Sequence, residues 1–146
     1  MSKKIYTWGS KFSERNYTVY DLKKLKGIKK LIQTTATNEN EAYAAAEASI
    51  DMLLCKSPNI SEVRKGAPDL FLTATIDLAL FPSKDDVLRE AFNSLKNGAD
   101  QIYTARGPHI VEYLSKEDIP VMCHLGLVPR KSSWKGGLRA VGKTVE

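Results

Sequence analysis

The 146-residue chain reads as an α/β fold built on parallel strands, and three observations predict it. Short, continuously apolar runs recur along the chain, as expected of strands buried on both faces. Segments with apolar residues at helical spacing alternate with these runs. The connections between the two are short, which is the mark of repeated βα units. The pattern gives about five strands and three or four crossover helices. The length fits one domain.

Residues 1–30 read as an N-terminal extension with a leading helix. Leu22, Leu25 and Ile28 recur every three residues, which makes a helical turn or two with a solvated basic face. Residues 31–146 hold the βα units. Leu31 to Thr37 is rich in β-branched residues and reads as a strand. Asn38 can cap a helix over Glu39 to Ser49, where five alanines favour helix. Met52-Leu53-Leu54-Cys55 is a short buried strand, and Lys56-Ser57-Pro58-Asn59 reads as a loop. A turn at Gly66-Ala67-Pro68-Asp69 leads into a strand over Leu70 to Ile76.

The strongest helix follows Pro82. Ser83 is its cap, Asp86 completes a variant capping box, Val87, Leu88, Ala91, Phe92 and Leu95 form its apolar face, and Gly98 stops it. Ala99 to Thr104 is a strand, Pro108 opens a short helix with Ile110, Val111 and Leu114 inward, and Pro120 to Leu125 is the last strand. Everything beyond Val128 is polar, basic and glycine-rich. Two arrangements remain open on this pattern, a doubly wound sheet or part of a closed barrel. A complete eight-stranded barrel normally needs at least ~200 residues, so this chain is expected to hold only part of one.

With 42% hydrophobic and 27% charged residues the chain has enough apolar surface to order itself. No apolar stretch is long enough for a membrane-spanning helix, and Ile5 to Gly9 is too short and polar for a signal-peptide core. Cys55 and Cys123 form no CxxC pair and read as small core residues. The expected compartment is the cytoplasm. Twenty-two basic against 17 acidic residues leave a net charge of +5, which suits an enzyme of anionic metabolites. No aromatic residues interleave with Lys23 to Lys30, and no specific nucleic-acid partner is expected. The alternative, a basic nucleic-acid-associated module around those lysines, requires steeply salt-dependent binding.

Four islands carry a more specific signal. Glu117 to Pro129 contains Ile119-Pro120-Val121-Met122-Cys123-His124-Leu125-Gly126-Leu127-Val128-Pro129. It resembles the Ile-Pro-Val-x-Gly-His-(Ile/Leu)-Gly-Leu-Thr-Pro segment of the ketopantoate (3-methyl-2-oxobutanoate) hydroxymethyltransferases. Gly136-Gly137-Leu138-Arg139-Ala140-Val141-Gly142-Lys143 follows at the family's spacing, Val63-Arg64-Lys65-Gly66-Ala67-Pro68 is similar to its Val-Arg-Arg-Gly-Ala-Pro, and Thr18 to Gly27 resembles its N-terminal segment. The resemblance runs over roughly residues 18–146.

This resemblance implies a partial (β/α)8 TIM-type barrel of the phosphoenolpyruvate/pyruvate superfamily. It also implies transfer of a hydroxymethyl group from methylenetetrahydrofolate to 3-methyl-2-oxobutanoate, a step towards pantothenate, with Mg²⁺ holding the keto acid. Ser57 and His124 then become candidate substrate-binding residues, each at the end of a strand. Arg106, Arg130, Lys131 and Arg139 read as solvated loop charges or an anion-binding rim.

The chain departs from the family where acidic ligands are expected. Cys55-Lys56-Ser57 replaces Gly-Asp-Ser, Thr75 aligns with the second aspartate, and Tyr103-Thr104-Ala105-Arg106 replaces Lys-Ile-Glu-Gly. A two-residue slip would bring Asp77 to the same face of its strand as a single metal ligand. The family's later catalytic glutamate falls beyond Glu146, and no residue is assigned a catalytic role. The expectation is a protein of this family that takes a keto acid, transfers hydroxymethyl groups poorly, and binds neither Mg²⁺ nor the folate tightly. The alternative is a non-catalytic or repurposed keto-acid-binding homologue. Either way the partner is another copy, as a homo-oligomer, or a complementary barrel half, because an incomplete barrel leaves sheet edges open.

Overall fold

The computed structural model describes residues 2–140 and residue 142. It opens with an antiparallel hairpin of β1 (Lys3–Tyr6) and β2 (Phe12–Arg15), followed by α1 (Val19–Leu25). The repeating units are β3 (Gln33–Thr35), α2 (Glu39–Glu47), β4 (Met52–Lys56), α3 (Ile60–Gly66), β5 (Phe71–Thr75), α4 (Lys84–Lys96), β6 (Gln101–Thr104), α5 (Pro108–Ser115) and β7 (Val121–Cys123). A one-turn helix, α6 (Ser132–Lys135), comes last.

Strands β3 to β7 form one parallel sheet in the order β3-β4-β5-β6-β7. A doubly wound sheet must reverse its strand order at a switch point, whereas a barrel never does. Right-handed crossovers that always advance the same way place every helix on one face. The core bears this out. Leu53, Cys55, Leu72, Ala74 and Ile102, all of one strand parity, pack with Ala42, Ala45, Ile60, Val63, Val87, Ala91, Leu95, Ile110 and Leu114 from α2 to α5. Burial of such a Leu, Ile or Val side chain is worth about 1.5–3 kcal/mol, so this layer is the main source of cohesion. The fold is a five-stranded arc of a (β/α) barrel, with helices outside and an inner face of opposite parity.

Most expected elements are present, with shorter ends. α2 stops at Glu47 rather than Ser49, which lies in the left-handed region at φ 58°. α1 covers only seven residues, because the chain turns at Gly27 with φ 78°. Both Thr18–Asp21 and Ser83–Asp86 form reciprocal capping boxes. The expected loop at Lys56 to Asn59 is instead a strand end followed by a 3-10 turn that runs into α3. That helix presents only Ile60 and Val63 to the core, too short a repeat to register in the sequence. It lies so close to α2 that a Cβ on Gly66 would sit 2.0 Å from the Glu39 carbonyl oxygen. Beyond Val128, in the polar, basic and glycine-rich stretch to which the sequence assigns no element, stand a 3-10 turn and α6.

The N-terminal segment closes the end of the sheet where the strands begin. Asn16 donates to the Asp51 carbonyl and accepts from the Phe71 amide, and its own amide bonds to Asp69. Arg15, only 2% exposed, gives Nε to Asp100 at 2.8 Å, and Arg64 gives a second guanidinium nitrogen to the other carboxylate oxygen at 2.8 Å. Asp100 also accepts from the Leu72 amide, so one carboxylate ties the hairpin, α3 and β5 together. Burial, with the neighbouring Arg15 charge, brings the Arg64 guanidinium down to about 10, against the pull of Asp100. Lys29 from the basic run is engaged as well, bonding Tyr17 and Asp51.

Candidate functional site

With one end of the arc sealed, the open rim lies where the parallel strands finish. Side chains of alternate parity face inward there. The pairing register sets Lys56 of β4 opposite Thr75 of β5, and Thr75 opposite Tyr103 of β6. Tyr103 pairs with Met122 of β7, and His124 lies two residues further on, hence on the same inner face. Its amide bonds to the Thr104 carbonyl, which extends the ladder past the last strand residue.

The two sequence-predicted substrate residues therefore sit at ends of different strands. His124 is half-buried and its Nδ1 lies 2.8 Å from the Tyr103 hydroxyl, with the ring centroids 6.0 Å apart. Burial raises the Tyr103 phenol above its ordinary value, with a smaller contribution from Cys123. Ser57 begins the turn after Lys56, is 5% exposed, and its hydroxyl has no hydrogen-bond partner among the described residues. A buried hydroxyl left unpaired costs about 1–3 kcal/mol, so an oxygen supplied by a ligand or by water would be stabilising there.

The remaining candidates are committed to the rim's framework. Asp77 Oδ1 accepts from the amides of Ala79 and Leu80, at 2.8 and 3.3 Å, and so holds the turn after β5. Arg106 donates to the carbonyls of Leu78 and Phe81 and pins that same turn to the loop after β6. Arg130 reaches the carbonyl of Ala105. Arg139 and Lys131 are exposed, while Val141 and Lys143 of the glycine-rich island lie outside the described residues. Cys55 is buried, and burial pushes its thiol up to about 11, against the Arg64 charge, which fits a core residue.

The donor set does not fit a divalent metal. A hard cation wants several oxygen ligands, mostly carboxylates. The inner row offers Lys56, Thr75 and Tyr103 instead, and no group of three His, Cys, Asp or Glu residues suited to a metal exists among the described residues. An ammonium, hydroxyls and an imidazole are suited to an anion. Tyr103 escaped sequence reading as a site residue. Its pairing with His124 depends on the register of β6 against β7, which no local pattern carries.

Fold and rim together define a β/α-barrel-type protein whose strand ends present an ammonium, hydroxyls and an imidazole. The family model for ketopantoate hydroxymethyltransferase matches residues 56–146. A 3-methyl-2-oxobutanoate hydroxymethyltransferase of Thermotoga neapolitana is 31% identical over 86% of this chain and 56% of its own length. The enzyme of the same name from Thermotoga maritima is 30% identical over the same shares, and that of Pyrobaculum islandicum 31% identical over 90% of this chain and 59% of its own. A solved structure described as a deoxyribose-phosphate aldolase from Toxoplasma gondii ME49 aligns with a TM-score of 0.48, at 18% identity, over 72% of this chain and 57% of that one. The chain belongs to the ketopantoate hydroxymethyltransferase family and spans a little over half the length of these curated relatives.

Proposed function

We propose that this chain is a cytoplasmic keto-acid-binding member of the family, which holds 3-methyl-2-oxobutanoate at the rim and transfers hydroxymethyl groups poorly or not at all. The observation that carries the reading is the unpaired, buried Ser57 hydroxyl beside a rim of cationic and neutral donors. A 2-oxo acid offers adjacent carboxylate and keto oxygens, acceptors that match the Ser57 hydroxyl and the His124 imidazole.

Hydroxymethyl transfer needs C3 of the keto acid to lose a proton, and the resulting enolate charge must be stabilised. Metal Lewis acidity contributes several kcal/mol to such steps, and each ~1.4 kcal/mol withheld slows them tenfold. Mg²⁺, which the family implies, would supply that stabilisation when bound, but the residues of this rim do not suit it. Neither Mg²⁺ nor methylenetetrahydrofolate is held tightly in this reading. His124 and Ser57 orient the acid, and no carboxylate of the inner row is placed to take the proton.

The test is a titration of the protein with 3-methyl-2-oxobutanoate, followed by NMR. Saturable binding that perturbs residues around β4 and β7, and that is lost in both His124→Ala and Ser57→Ala, is the expected result. Binding unaffected by both substitutions, or none at all, would overturn the reading.

A further inference from the structure

The rim carries more chemistry than the two residues just assigned. Lys56, Thr75 and Tyr103 occupy one register row on successive strands, with His124 one strand further on, so at ~4.8 Å per strand the span from Lys56 to His124 along the sheet is about 14 Å. The inward curl of a barrel wall and the length of a lysine side chain shorten that span for a ligand on the inner face. Lys56 is exposed and makes no ion pair among the described residues, unlike Lys3, Lys29 and Lys116. The nearest acid in sequence beyond the row, Asp77, is occupied by its turn. The charge facing the row is therefore positive and uncompensated.

At the other end, the Tyr103 hydroxyl has His124 Nδ1 as its one side-chain hydrogen-bond partner among the described residues, at 2.8 Å. A phenol O–H is a better donor than the N–H of neutral imidazole, so the hydrogen bond runs from Tyr103 to Nδ1. The imidazole proton is then on Nε2, leaving that nitrogen as a donor.

We propose that the rim receives the carboxylate of its ligand directly, between the Lys56 ammonium and the Nε2–H of His124, with Tyr103 as the positioning residue that sets the imidazole tautomer. No divalent cation bridges protein and ligand. This rests on the rim being the keto-acid site. A lysine is a single point charge and cannot chelate two oxygens. The second contact then comes from a neutral donor, the His124 imidazole that Tyr103 holds on the same inner face.

Two measurements on the full chain test this. In ligand-free protein, ¹⁵N NMR of the histidine rings should show His124 protonated on Nε2 with Nδ1 accepting a hydrogen bond, and Tyr103→Phe should move the Nδ1 resonance towards that of a free imidazole. Titration with 3-methyl-2-oxobutanoate should give the same affinity in Mg²⁺ and in chelator. That affinity should fall about tenfold in Lys56→Gln, the size of a lost charge-assisted contact, and severalfold in Tyr103→Phe, but stay unchanged in Lys30→Gln. A proton on Nδ1 in the native protein, or a Tyr103→Phe spectrum identical to it, would overturn the positioning role. Affinity that appears only with Mg²⁺, or is insensitive to Lys56→Gln, would overturn direct capture while leaving the keto-acid reading intact. Absence of binding under every condition would remove both.

Discussion

Asp100 joins three parts of the fold through one carboxylate. Its two oxygens hold Arg15 and Arg64, both largely withdrawn from water, and the Leu72 amide shares one of them. Asp100→Asn would leave two buried guanidiniums facing each other without their anion. Breaking a buried pair in this way costs about 3–5 kcal/mol. Urea unfolding should show a loss of that size, larger than for the exposed Glu112, whose Lys116 partner is worth little. The two thiols give a second residue-scale test. Cys55 is 1% exposed and its thiol is pushed up to about 11, so a thiol reagent near pH 8 should modify Cys123 alone in the native protein and both cysteines after unfolding. Because the folded value lies above the ordinary 9, the Cys55 contribution to stability is complete below pH 9 and is lost as pH rises through about 11.

Legibility at the scale of elements followed length and capping. α4 was readable because an apolar face spread over more than two turns coincides with a cap at Ser83 and a stop at Gly98. Ser83→Ala should cost about 1 kcal/mol, measurable as a shift in the urea midpoint at constant slope. α3 was not readable, since its seven residues bury only Ile60, Val63 and Gly66, and its place is set by α2 pressing on Gly66. The β1–β2 hairpin was equally silent. Its strands are mostly exposed, and the link that seats it, Arg15 to Asp100, joins residues 85 apart in the chain. The same limit governed the site. Ser57, His124 and Lys56 were found through motifs, whereas the pairing of Tyr103 with His124 shows only once β6 and β7 are laid side by side.

Taken whole, the described residues form an arc of five parallel strands. Among the described residues β3 pairs only with β4, and β7 only with β6. Unpaired edges recruit partners, so the chain is expected to self-associate or to take up a complementary barrel half. Light scattering across a range of concentrations should show a mass rising above that of one chain, and a strictly monomeric species at high concentration would contradict this. The arc carries its helices on one side, and its inner row presents basic and neutral donors at the strand ends. Binding without turnover is what we propose for this rim, and proton exchange at C3 of 3-methyl-2-oxobutanoate in D₂O, followed by NMR, examines it most directly. Exchange is expected at the rate of buffer alone, even at concentrations of the acid that saturate the rim. Exchange well above that background, lost in His124→Ala, would contradict it and show that the rim activates C3 without acidic ligands.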